Sequence, residues 1–241
     1  MLHPAHQIKM YRKKHHKVIA LLTLLVPLVI LLVIGMITKT QWFDIFTALG
    51  ISWFRLLLGY IISLVLGVAT ALILGTSKFG ESVTPVLDVM QNVPSFALIP
   101  LFAMLFGYTN LMAILFIASS AIWPIIFYAV SAIRNARQDL NDASRIFGAT
   151  GWRRVFYYFI PLSFPAILTG SIVAIAIGWE AVIGIEIIGF KNGIGVLLNT
   201  ASNSSDQSLV IAGISALLFV VFILNRLVWS PLIAKTHAYA D

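Results

Sequence analysis

Long apolar runs separated by short polar stretches make up most of the chain, and the runs are continuous rather than alternating. Continuous runs predict α-helices that cross a bilayer, at about 20 residues per span, whereas a membrane β-barrel needs short alternating segments. Six runs stand out, at 18–38, 51–75, 93–107, 111–133, 162–189 and 209–229. The third is short, and Pro94 and Pro100 predict an irregular backbone there. The first occupies the place of a secretory leader, but a leader's apolar core is only about 7–15 residues. This run is longer and leads into Lys39-Thr40-Gln41-Trp42, so a retained helix is expected. The expected architecture is all-α and polytopic, with a basic tail at 1–17, a first span at 18–38 and a core at 51–230. That core carries a polar loop at 134–161, and a second tail follows at 231–241.

Charge orients these spans. With six of them, Lys9, Arg12, Lys13, Lys14, Lys17, Lys78, Arg134, Arg137, Arg145, Arg153, Arg154, Arg226 and Lys235 fall on one face, and only Lys39, Arg55 and Lys191 toward the other. The excess of Lys and Arg marks the cytoplasmic side, so both termini are expected there. An odd number of spans spoils this segregation, which argues for counting the short third run. The net charge of +7 therefore reads as membrane orientation, and contact with lipid is expected but not with nucleic acid. The 241 residues are 60% hydrophobic and only 10% charged, more apolar surface than a soluble domain hides. There is no cysteine, and His3, His6, His15, His16 and His237 all lie in the tails. No metal site and no nucleophile–histidine pair is expected within the membrane, which sets aside intramembrane hydrolysis.

Small residues recur at every fourth position in two runs: Gly59, Ser63, Gly67, Ala71 and Gly75 in the second, and Ala166, Gly170, Ala174 and Gly178 in the fifth. In lipid there is little hydrophobic drive for helices to associate, so such ridges permit close backbone approach. These two helices are expected to be central. Glu180 and Glu186 also lie in the fifth run, where a lipid-facing carboxylate costs at least a few kcal/mol. Glu186 continues the small-residue ridge, while Glu180 lies about 200° from Gly178, on the opposite side. Two readings stay open for these carboxylates: they line or gate a pathway, or they are buried groups that fix helix packing.

The polar loop holds Asp142-Ala143-Ser144, then Gly148, then Tyr158-Phe159-Ile160-Pro161. Asp139, Asn141 or Asp142 can cap a short helix running to Phe147, Gly148 to Gly151 supplies a turn, and 152–158 forms a second amphipathic stretch. Pro161 is expected to restart the chain at the first position of the next helix. Ile146, Phe147, Trp152 and Phe156 beside arginines suit docking into a groove on a soluble partner.

This loop resembles the signature of permease subunits of binding-protein-dependent ABC importers, which is Glu-Ala-Ala, three residues, Gly, nine residues, Ile-x-Leu-Pro. The spacing is intact here, with Asp142 for Glu, Ser144 for Ala, Tyr158 for Ile and Ile160 for Leu. The run Gln91-Asn92-Val93-Pro94-Ser95 through Pro100 and Phe106-Gly107, and the run Glu186-Ile187-Ile188-Gly189, are similar to the nitrate/sulfonate/taurine/bicarbonate branch. The resemblance implies the type I importer permease fold in the cytoplasmic membrane. It also implies ATPase coupling through Asp142, Ala143, Ser144, Arg145, Phe147, Gly148, Ile160 and Pro161; Asn92 and Glu186 lie in the matched runs and, with Glu180, are the candidates for a pathway or gate. The implied partners are a dimer of ABC ATPase subunits, an extracytoplasmic solute-binding protein and a second permease copy. No Gly-x-x-x-x-Gly-Lys-Ser/Thr phosphate loop occurs, so this chain is expected to be non-catalytic and without a cofactor of its own, ATP and Mg being used by the partner. The alternative is a proton-coupled secondary transporter that uses Glu180 or Glu186.

Overall fold

The computed structural model describes residues 42–237 except 78, 137 and 147, together with 29, 33 and 35. Apart from those three helical positions, the expected first span and the basic tail at 1–17 lie outside the described residues. The described residues form helices and no strand: α1 (Trp42–Thr76), α2 (Phe79–Gln91), a 3-10 turn (Ser95–Leu98), α3 (Ile99–Phe106), α4 (Asn110–Arg134), α5 (Gln138–Ile146), α6 (Gly151–Arg154), α7 (Ile160–Gly189), α8 (Ile194–Asn203), α9 (Gln207–Leu224) and α10 (Ser230–His237). The second run therefore becomes a helix that starts at Trp42 rather than at residue 51. A helix can outrun the hydrocarbon, and Asp44 in its first turn suits the positive end of the helix dipole.

Helix α4 is held between α1 and α7, and more of it is buried than of any other candidate span. This corrects the expectation that the second and fifth runs are themselves central: their ridges are the two surfaces that grip α4. A Cβ on Gly59 would lie 2.7 Å from Ile117 Cγ2, one on Gly67 3.0 Å from Ile125 Cγ2, and one on Gly75 2.8 Å from Ile133 Cγ2. Between these contacts the Ser63 hydroxyl donates to the carbonyl of Ala118 at 3.0 Å, and Ala71 is wholly buried. On the other side, Gly170 meets the carbonyl of Pro124, and Gly178 meets Leu56 and Ile117. Ala174, between them, is also buried, whereas Ala166 is only partly so.

These contacts also give the direction of each helix. Residue numbers rise together along α1 and α4, so the two run parallel; they rise in opposite senses along α4 and α7, so those run antiparallel. Two parallel neighbours require the chain between them to return across the membrane. That return is the bent pair Pro85–Gln91 and Ser95–Phe106, whose halves meet at 81°. Its near end lies beside Leu74 and Arg134 through Gly80, and its far limb reaches Gly184 through Phe96 and Gly189 through Tyr108. The third run is thus a broken crossing rather than the short single helix its apolar residues suggest. Pro94 at the break has no N–H to continue the ladder.

Two π turns, Val155–Phe159 and Asn225–Trp229, each end two residues before a proline, Pro161 and Pro231. Proline cannot donate to the carbonyl four residues back and collides with it. Widening the preceding turn, so that Ile160 donates to Val155 and Ser230 to Asn225, lets both helices run on. Pro161 therefore does not restart a helix. It lies inside one continuous helical rod, Gly151–Gly189, of 39 residues.

Replacing Gly67 or Gly59 by Leu is expected to drive α1 off α4 and lower stability by about 1–3 kcal/mol. Gly50→Ala, where a Cβ meets nothing within 4 Å, is the neutral control. Thermal unfolding in detergent separates the three; an unchanged midpoint in Gly59→Leu would show that the ridge is not a packing surface.

Candidate functional site

Two features of this fold carry polar chemistry. The first is buried at the Gly189 end of α7. The carboxylate of Glu186, 1% exposed, accepts from Arg55 Nη1 at 2.7 Å, from the Ser52 hydroxyl at 2.8 Å and from the backbone N–H of Gly195 at 2.9 Å. Ser52 in turn accepts from the N–H of Ile194 at 2.8 Å, so the hydroxyl links helix α8 to the carboxylate. The N–H groups of Ile194 and Gly195 are among those with no partner inside α8, and the carboxylate sits at the positive end of that helix.

Arg55 uses the rest of its donors on its neighbours. Nε donates to Asn110 Oδ1 at 2.8 Å, Nη1 also to the carbonyl of Asn192 at 2.9 Å, and Nη2 to Asn192 Oδ1 at 2.5 Å. The guanidinium lies 4.6 Å from the centre of the Phe190 ring, a cation–π contact. Gly193, at φ +120°, closes the cluster: a Cβ there would lie 2.2 Å from Glu186 Cδ. One cluster thus joins α1, α4, the end of α7, the following loop and α8.

Arg55 carries no expected role beyond that of one cation on the far face. Its position well inside α1 is the signal that was available, because an intramembrane cation demands an intramembrane partner. Glu186 is enclosed and fully engaged here, the arrangement of the packing alternative. Glu180 is exposed on another face of α7, and Asn92 is exposed at the break of the bent crossing, with its amide turned back to the carbonyl of Asp88. The structure therefore brings Glu186 together with neither of them.

The second feature is the loop between α4 and α7. Helix α5 starts at Gln138, so Asp142, Ala143 and Ser144 lie within it and Asp142 is not a cap. The helix ends in a Schellman turn: Ala149 N–H donates to the carbonyl of Ser144 at 3.0 Å, with Gly148 at φ +72°. Phe147 and the side chain of Arg145 lie outside the described residues. Ile146 is 83% exposed, Trp152 77% and Tyr157 81%, and Trp152 stacks on Phe156 at 6.1 Å. Leu140, Ser144, Gly148, Ala149, Arg153, Tyr157 and Tyr158 line a cleft of about 400 Å³ between α5 and the start of the long rod. Ile160 and Pro161 lie one turn further, in the rod itself.

Residues 63–228 match the family described as the binding-protein-dependent transport system inner membrane component. The chain is similar to the nitrate import permease protein NrtB of Leptolyngbya laminosa, 30% identical over 185 residues that cover 76% of this chain and 66% of that one. It is also similar to the taurine transport system permease protein TauC of Escherichia coli, 24% identical over 192 residues, 79% of this chain and 68% of that one. A solved chain of the inward-facing MetNI methionine ABC transporter superposes with a TM-score of 0.62 at 17% identity, covering 80% of this chain and 94% of its own. That likeness shows a shared type I permease fold. The chain spans just under two thirds of the length of the nitrate permease.

Removing one member of a buried ion pair strands the other, at a cost of about 3–5 kcal/mol. Glu186→Ala and Arg55→Ala are each expected to lose about that much, and the double variant much less than the sum. A double-mutant cycle on detergent unfolding measures this coupling; strictly additive losses would show that the two side chains do not depend on each other.

Proposed function

The chain belongs to the family of binding-protein-dependent transport system inner membrane components, and on that premise we propose that it is the permease subunit of an ATP-driven importer of a small solute. It is a multi-pass protein of the inner membrane, and its relatives are named as permeases, the translocating rather than the catalytic parts of such systems. ATP and Mg belong in this reading to a pair of separate ATPase subunits. A second permease copy completes the pathway, and an extracytoplasmic binding protein delivers the solute.

The observation that carries the reading is the α5–Gly148–α6 projection. It places Ile146, Trp152 and Tyr157 in the open beside Arg153, on the side of the bundle where Arg134 and Arg226 also lie. A polar helix with large apolar side chains exposed at its end fits a groove on a soluble protein. By the positive-inside rule this side is cytoplasmic, which is where an ATPase meets it. In this reading the helix carrying Asp142, Ala143 and Ser144 sits in the ATPase cleft, and Arg145, Phe147, Ile160 and Pro161 support the seat. Helix α5 is short and set by its Schellman turn, so its direction follows from Gly148. For the proton-coupled alternative, Glu186 is enclosed by Arg55, Ser52 and α8, which leaves it Glu180 alone.

A Cβ at Gly148 meets nothing within 4 Å, so a side chain there acts through the backbone alone. Holding valine in the left-handed region costs about 1–2 kcal/mol. Gly148→Val is therefore expected to lower solute-stimulated ATP hydrolysis of the reconstituted complex by roughly 5–30-fold, with insertion intact. Ile146→Asp is expected to weaken co-purification of the ATPase. Normal stimulation in Gly148→Val together with normal co-purification in Ile146→Asp would remove this loop from the coupling.

A further inference from the structure

Three features that neither the buried cluster nor the projecting loop uses meet on one face of α7 that is exposed among the described residues. The first is Glu180, exposed more than two turns inside the Gly189 end of the helix, on a stripe with Thr169 and Ala176. No ion pair joins Glu180 to a cation among the described residues. A carboxylate at that depth does not face lipid unpaired. The second is the break in the bent crossing, where residues 91–94 are all exposed. Irregular backbone within the hydrocarbon is tolerated only where protein covers it or water reaches it. The third is Phe96, 40% exposed, whose ring lies against Gly184, one turn from Glu180 along α7. That contact brings the break and the carboxylate to the same face at neighbouring levels.

We infer that this face lines a water-filled solute pathway and selects for solutes that carry positive charge or N–H donors, such as amines, amidines or quaternary ammonium groups. The inference rests on the permease reading and deepens it. Among the described residues the charges at this face are the carboxylates of Glu180 and, one turn before Asn92, of Asp88; Phe96 offers a ring face or edge to a cation, and Asn92 lies exposed between them. Arg55 is buried and committed to Glu186, Asn110 and Asn192, and Lys191, which is exposed, lies past the Gly189 end of α7. A free anion of the kind named for the nitrate relative meets an unbalanced negative charge here, whereas a cation meets an unpaired carboxylate.

The chain contains no cysteine, so a single introduced thiol reports on the site. Ala176→Cys, exposed and one turn from Glu180, is reacted in proteoliposomes of the full chain with cationic trimethylammonium-ethyl, anionic sulfonatoethyl and neutral hydroxyethyl methanethiosulfonates. Each rate is normalised to that of a free small thiol. The cationic reagent is expected to react about tenfold or more faster than the anionic one, and Glu180→Gln to abolish that preference. Thr169→Cys, further along the same stripe, gives a second reporter should Ala176→Cys express poorly. Ready reaction with the neutral reagent but no cationic preference would overturn the charge selectivity and leave the permease reading standing. Failure of the neutral reagent at both positions would show a dry face, and would overturn the placement of the pathway itself.

Discussion

A carboxylate and a guanidinium placed at the same depth in a bilayer must find each other or reshape the fold around themselves, and Arg55 and Glu186 do both. Their contact alone is a poor source of stability, because two ions taken from water lose hydration that their attraction barely returns. What the pair supplies is position. The arginine fork reaches Glu186, Asn110 and Asn192 at once, which a lysine ammonium lacks the geometry to do. The carboxylate in turn takes the N–H of Gly195 and, through Ser52, steadies that of Ile194. The loop from α7 to α8 is thereby fixed to the side of α1, and Gly193 is the residue that lets the backbone pass so near the carboxylate.

The same demand, that nothing polar be left unpaired in lipid, shapes the rest of the bundle. At the far end of α1, Arg134 donates from Nη2 to the carbonyl of Leu74 at 3.1 Å and so closes one of the open carbonyls of the helix. The first N–H groups of α4 and α9 are met by Thr109 and Asp206, whose side chains accept from Met112 and Leu209. Ahead of Pro161 and Pro231 a π turn takes up the slack. Between these polar ties α4 is gripped by glycine on one side and by glycine and alanine on the other. Close approach of backbones replaces the hydrophobic drive that lipid does not provide.

Local features were legible in the sequence and distant pairings were not. The fourth run, 111–133, became Asn110–Arg134, and the fifth ended at Gly189 as its composition implied, because apolar length is a local property. The glycine ridges were visible as periodicity, but their partner was not: Ile117, Ile125 and Ile133 recur every eight residues on a helix that looks unremarkable alone. Gly148 was readable as a turn with positive φ, since glycine followed a polar helix. The continuity through Pro161 was not, because a π turn has no compositional mark and the usual rule places proline at a helix start. Arg55 was hidden by its 131-residue separation from Glu186 and by a charge count that sorts cations by side and not by depth.

The rod from Gly151 to Gly189 gives the two polar features a mechanical relation. One end of it adjoins the exposed α5–Gly148 projection, and the other is held by the Arg55–Glu186 cluster. A displacement imposed on the projection enters a single helix, and a helix transmits it along its axis unless something in the rod yields. The hydrogen-bond ladder of the rod is interrupted at the π turn Val155–Phe159 and at Pro161 and Pro165 just beyond it, so bending concentrates there. Beyond that turn α7 grips α4 through Gly170 and Gly178, and it carries Glu180 on the face opposite to this contact. In the proposed importer a push on the projection therefore flexes the rod near Val155–Phe159, while the length clamped on α4 and at Glu186 keeps its register with α1 and α8.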